Sequence, residues 1–208
     1  YGTGQLPLQE NAVPRPEDPY GIAKYACELD LQAAHEVFGL PFTIFRPHNV
    51  YGERQNLADP YRNVIGIFLS QCRRGEPMTV FGDGQQTRAF TYIDDVAPLI
   101  AKAPLVPGAL NQVFNVGADT AVSVIELARS VAAALGIEPR IRHLPPRPEV
   151  QHAVSDHSRA RAVFQTPDPV SLTDGLNRMA RWADGVQVAP MRRFGSLEVP
   201  NELPAGWT

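Results

Sequence analysis

The sequence predicts an α/β protein, and three observations carry that reading. Stretches with helical periodicity alternate with short β-rich runs along the chain. Glycines and prolines stand where those stretches should stop. The composition, 44% apolar, 20% charged and 8% aromatic over 208 residues, is that of a globular chain able to bury a sizeable core.

The elements follow in order. Residues 5–19 form a polar, proline-rich loop. A helix is expected from about Tyr20 to Phe38, with Ile22, Ala26, Leu29, Ala33 and Val37 as an apolar stripe and Gly39 as its stop. Phe42 to Arg46 is a β-rich run closed by Pro47. A second helix is predicted over Tyr61–Arg74, with Ile65, Phe68, Leu69 and Cys72 on one face and Gly75 after it. Met78–Phe81 reads as a strand, Gly82-Asp83-Gly84 as a turn and Arg88–Tyr92 as extended. A helix is expected over Ile93–Ala103, with Asp94 and Asp95 at its positive end. Val113–Val116 is a strand. Ser123 and Glu126 have capping-box spacing for a helix ending before Gly136. Arg140–Leu144 is extended, the last helix spans Leu172–Asp184, and Val186–Thr208 has no periodicity.

Several function classes are excluded at this level. A net charge of −3 provides no basic field for nucleic acid. No apolar run approaches the roughly 20 residues that span a bilayer, so no membrane association is expected. Cys27 and Cys72 are read as reduced thiols, with the cytoplasm as the default compartment. The five histidines, His35, His48, His143, His152 and His157, lack ligand spacing, so no metal is expected. A dinucleotide-binding fold normally opens with a strand, a glycine-rich turn and a helix, and the chain has no such opening. Gly82-Asp83-Gly84 lacks the third glycine and precedes an extended segment, so it fails that test. The chain begins at Tyr1, without a methionine, and is expected to be part of something longer.

Tyr20 and Lys24 stand at i and i+4, which makes them neighbours on one helix face. A free phenol, with a pKa of about 10, is too weakly acidic to act as a base at neutral pH. An ammonium one turn along stabilises the phenolate, so the pair has the chemistry of an acid/base device.

Four blocks give this pair a context. Pro19-Tyr20-Gly21-Ile22-Ala23-Lys24 resembles the active-site helix of the extended short-chain dehydrogenase/reductase superfamily. Arg46-Pro47-His48-Asn49-Val50-Tyr51-Gly52, the run Phe81–Phe90 with Tyr92–Val96, and Phe114-Asn115-Val116-Gly117 are similar, in the same order, to the NAD-dependent epimerases and dehydratases of nucleotide sugars. The 4-epimerases of UDP-glucose are the members it resembles most.

That resemblance implies the C-terminal part of a doubly wound Rossmann-type domain plus a smaller mixed α/β substrate-binding domain. Residues 1–52 would be the remnant of the NAD-binding domain, 53–185 mainly the nucleotide-sugar domain with some segments returning to the Rossmann sheet, and 186–208 a tail. Tyr20 would exchange a proton with the sugar 4-hydroxyl, and Lys24 would bond the nicotinamide ribose. Pro47 would line the nicotinamide of the NAD cofactor. Asn49 and Asn63 would bind the sugar or its diphosphate. Thr79 and Phe81 would hold the base, largely through backbone groups. Arg88 would pair with the diphosphate, since a guanidinium fork fits two phosphate oxygens. Glu149 would bond ribose hydroxyls, with Arg147 near the phosphates. The sequence Arg147-Pro148-Glu149-Val150 is one glycine short of the usual block, which leaves Glu149 in register and Arg147 displaced. The reaction implied is 4-epimerisation of a UDP-glucose/UDP-galactose type substrate through a transient 4-keto sugar, in a homodimer.

Two alternatives stand beside it. One is a nucleotide-sugar 4,6-dehydratase, which residues before Tyr1 would distinguish. The other is a nucleotide-sugar-binding remnant, inactive by itself. Asn49 could also simply tolerate a left-handed turn after Pro47.

Overall fold

The computed structural model describes residues 6–59, 63–147 and 150–187. Its elements run α1 (Pro19–Phe38), β1 (Thr43–Pro47), β2 (Val50–Tyr51), α2 (Val64–Arg73), β3 (Met78–Phe81), β4 (Thr87–Ala89), β5 (Thr91–Tyr92), α3 (Ala97–Lys102), β6 (Gln112–Val116), β7 (Ala121–Ser123), α4 (Val124–Ala134), β8 (Ile141–Leu144), β9 (His152–Ala153), α5 (Ser158–Phe164) and α6 (Leu172–Asp184). The α/β class is as expected. The chain divides into two compact units. One takes in the chain up to Val50, Ala89–Ala121 and Ala153–Pro169; the other takes in Tyr51–Arg88, Val122–His152 and the chain from Val170.

In the first unit β1 and β6 pair in parallel, from Thr43 opposite Gln112 to Pro47 opposite Val116. Val96, Leu99, Ala103, Ala109, Phe114, Val116 and Ala160 form its buried core. Phe45, Phe114 and Phe164 meet there with ring centroids 5.2–5.9 Å apart. Helix α1 begins where Asp18 Oδ1 accepts the Gly21 N–H at 2.7 Å, and it ends at Gly39, whose φ of 68° suits glycine. Gly21 has little room: a Cβ there would lie 3.0 Å from the Pro16 Cβ.

The stripe read from periodicity on α1 is not its inner face. Ile22, Ala26, Leu29, Ala33 and Val37 are all exposed, whereas Tyr25, Glu28, Leu31, Gln32 and His35 are half-buried. A fork of two bonds joins α1 to β1: Arg46 Nε donates to Glu28 Oε1 at 2.8 Å and Nη2 to Oε2 at 2.6 Å. A polar side chain pair therefore seats the helix and turns its apolar stripe outward.

In the second unit β3 and β8 pair in parallel, from Met78 opposite Ile141 to Phe81 opposite Leu144. Phe68, Leu69, Met78, Val80, Leu127, Val131, Leu176 and Met179 are buried beneath α2, α4 and α6. The capping box opens α4 as expected, with Ser123 Oγ accepting Glu126 N–H at 3.2 Å and Glu126 Oε2 accepting Ser123 N–H at 2.9 Å. Gly84 lies at φ 78°, and a Cβ there would come within 2.9 Å of Val80 Cγ1, so the turn after β3 excludes any side chain.

Two further expectations need correction. The second helix is described from Val64, where Asn63 takes the cap and accepts Ile65 N–H at 2.9 Å, and the expected start at Tyr61 lies outside the described residues. The helix expected over Ile93–Ala103 is broken into a 3-10 turn at Ile93–Asp95, α3 and a second 3-10 turn at Ala103–Leu105. Pro98 lacks an N–H and its ring opposes a continuous helix through this point, so α3 restarts just before it. Helix α5 was not foreseen. It is short, and its start is set by Asp156 Oδ1 accepting Ser158 N–H at 2.8 Å.

Candidate active site

The first unit carries Tyr20, Lys24, Pro47 and Asn49. Tyr20 is the second residue of α1, with Pro19 ahead of it and Asp18 as cap, and it is 73% exposed. One turn on, Lys24 Nζ stands 5.6 Å from the centre of the Tyr20 ring. Among the described residues neither side chain has a hydrogen-bond or ion-pair partner. The pair is therefore stacked and chemically uncommitted.

Pro47 ends β1 and is exposed. Asn49 follows at φ 42°, the left-handed turn foreseen as its structural alternative. Its Nδ2 donates to Ala89 O at 2.9 Å and its own carbonyl accepts Thr91 N–H at 3.3 Å.

Sequence reasoning missed the histidine between them. His48 Nε2 lies 2.8 Å from Ser155 Oγ, and its ring meets that of His157 edge-on at 5.7 Å. His157, 3% exposed, donates from Nδ1 to Asp119 at 2.8 Å, and Asp119 also accepts from Arg161. Burial, the positive potential at His157 and lesser charges pull the His48 imidazole down to about 4. Burial works against ionised Asp119, but bonds from His157 and Arg161 outweigh it and hold the carboxyl below its ordinary range. No sequence spacing signals this cluster, because β1 and the segment after β9 come together only in the fold.

The second unit carries Asn63, Thr79, Phe81, Arg88 and Arg147, while Glu149 lies outside the described residues. Asn63 is the α2 cap. Thr79 and Phe81 occupy alternate positions of β3. The Arg147 guanidinium lies over the Phe81 ring, 4.3 Å from its centre. Arg88 Nη1 donates to Thr87 O at 2.8 Å and Gln151 O at 3.1 Å, and Nη2 donates to Val150 O. Its fork thus gathers the carbonyls that follow Glu149. The structure brings together Tyr20 with Lys24, and Phe81 with Arg147.

The α/β chain thus carries a tyrosine and a lysine one turn apart at the start of a helix. By comparison with known proteins, the chain belongs to the NAD dependent epimerase/dehydratase family, whose profile matches residues 1–117. It is similar to the UDP-glucose 4-epimerase of Mycolicibacterium smegmatis, 33% identical over 180 residues, 85% of this chain and 56% of that protein. It is also similar to a UDP-N-acetyl-alpha-D-glucosaminuronate decarboxylase of Bacillus cytotoxicus, 29% identical over 197 residues, 88% of this chain and 60% of that one. Among solved structures it resembles the UDP-glucuronic acid 4-epimerase of Bacillus cereus in complex with UDP-glucuronic acid and NAD, with a TM-score of 0.79, 30% identity, and coverage of 88% of this chain and 58% of that one. The chain spans little more than half the length of the relatives it matches.

Proposed function

We infer that the protein is an NAD-dependent 4-epimerase of a nucleotide sugar of the UDP-glucose/UDP-galactose type. The observation that carries this reading is the uncommitted Tyr20–Lys24 pair at the start of α1. The donor set fits the ribose end of NAD: an exposed ammonium with three donors and a phenol that both donates and accepts match hydroxyl groups. Tyr20, Lys24 and Pro47 would hold that end. When bound, NAD would supply the hydride acceptor and donor for carbon 4 of the sugar.

The residues of this chain then have distinct tasks. Tyr20 takes the proton of the 4-hydroxyl and later returns it. Lys24 stabilises the phenolate between those transfers and orients the ribose. Thr79 and Phe81 hold the base, and Asn49, Asn63, Arg88, Arg147 and Glu149 hold sugar, diphosphate and ribose. Because the nucleotide carries most of the grip, the hexose is free to turn and present its other face. The exposed stripe of α1 supports a homodimer in which a second copy covers Ile22, Leu29 and Val37, exposed by 55%, 47% and 70%. Both cysteines are free thiols, which fits a cytoplasmic enzyme.

The test is conversion of UDP-glucose to UDP-galactose by the intact protein supplied with NAD. Net formation of a 4-keto-6-deoxy product, with no galactose epimer, would replace this reading by a dehydratase.

A further inference from the structure

Strand β3 has two edges. Met78 N–H donates to Arg140 O at 2.8 Å and, just past the strand, Gly82 N–H donates to Leu144 O at 2.9 Å, so the even-numbered residues face β8. Backbone groups alternate along a strand, so Thr79 and Phe81 turn theirs to the other edge. That edge presents, in order, the Thr79 N–H, the Thr79 C=O, the Phe81 N–H and the Phe81 C=O.

Side chains claim the first and the last. Gln71, on α2 and 8% exposed, accepts Thr79 N–H on Oε1 at 3.0 Å and donates Nε2 to Thr79 Oγ1 at 2.9 Å. Gln86, 7% exposed, donates Nε2 to Phe81 O at 3.2 Å. Among the described residues, the Thr79 C=O and the Phe81 N–H have no partner. What is left is one acceptor followed by one donor.

We propose that Gln71 and Gln86 are positioning residues for the base: by capping the outer two groups of the β3 edge they leave a single acceptor–donor pair that matches the imide edge of uracil or thymine. The imide N–H donates to Thr79 O, and the adjoining imide carbonyl accepts from Phe81 N–H. This rests on the nucleotide-sugar reading above and adds the side chains that set the code. Without either cap, an unpartnered backbone group would stand beside the base in a half-buried place, and such groups are costly.

The two glutamines act with opposite polarity, and this makes the proposal testable. Gln71 is needed as an acceptor, whereas Gln86 is needed as a donor. In Gln71→Glu the carboxylate accepts both the N–H and the hydroxyl of Thr79, so the UDP Kd stays within about twofold. In Gln86→Glu the donor to Phe81 O is lost, and the Kd for UDP rises about tenfold, as it does in Gln71→Leu. Titration calorimetry on the intact protein reads these values. Equal responses of the two glutamate variants overturn the proposal, because side chains that only fill space would respond alike. Amide exchange in ligand-free wild type decides the matter separately. Thr79 is expected to exchange slowly and Phe81 fast, and Gln71→Leu brings Thr79 to the Phe81 rate. Equal protection at the two amides removes the capping arrangement. Wild type that keeps the unequal exchange but binds no UDP removes the substrate reading instead.

Discussion

The Lys24 ammonium stands 5.6 Å from the centre of the Tyr20 ring, one helical turn away and on the same exposed face. If the phenol is the proton carrier, Tyr20→Phe keeps the ring and the packing and removes only the hydroxyl that carries the exchangeable proton. Turnover of UDP-glucose should fall by about 10²–10⁴-fold, the usual range for a lost general acid/base, with the UDP affinity unchanged. Steady-state kinetics paired with calorimetry checks it. Comparable rates for the two proteins would end the acid/base assignment.

Arg88 is expected to serve the diphosphate. Arg88→Ala should weaken UDP-sugar binding by about 1.5–3 kcal/mol, the range for a charge-assisted hydrogen bond. Because the same guanidinium gathers the carbonyls of Val150 and Gln151, the chain at Val150–Gln151 should also become more susceptible to proteolysis. An unaltered affinity removes Arg88 from the binding set.

The outward stripe of α1 makes its own prediction. Leu29→Asp places a charge in the middle of that stripe, 47% exposed in the single chain. Burying an unpaired carboxylate between two copies is strongly unfavourable, so sedimentation should report a dimer for wild type and a monomer for the variant. A variant that stays dimeric means that another surface makes the contact.

The buried His48 makes stability pH-dependent. Its imidazole titrates near 4 in the folded chain against 6.5 ordinarily, so between those values the unfolded chain binds more protons. Stability is therefore full above about pH 7 and is lost as pH falls from 6.5 towards 4, by about 2 kcal/mol between pH 7.5 and 5. Depressed Asp119 and Asp156 carry the loss to still lower pH. Urea unfolding at the two pH values measures the difference, and His48→Gln should flatten it. An unchanged slope in that variant means that other groups dominate.

Much of the fold was legible where the local signals agree with the global packing. Helix α6 runs over the expected Leu172–Asp184, and the Ser123–Glu126 box opens α4. Periodicity found the apolar stripe of α1, but it carries no information on what faces that stripe, and Glu28 rather than Leu29 meets β1. Short α5 had too few turns to show a period. Within the candidate site, Tyr20 and Lys24 were readable because they lie close in sequence. His48 with His157, and Gln71 with Thr79, were not, since neither histidine nor glutamine has a spacing that announces its partner.

The proline-rich stretch before α1 reads by composition as a mere linker. Yet Pro16 presses against Gly21 closely enough that a methyl group there would have to shift it, and Asp18 pins the Gly21 amide itself. The loop is thus a buttress for the peptide that carries the Tyr20 phenol. Exchanging residues 12–17 for a flexible spacer, with the Leu8 and Glu10 contacts to Val154 and Asn115 kept, should leave the fold standing and blur the placement of Tyr20.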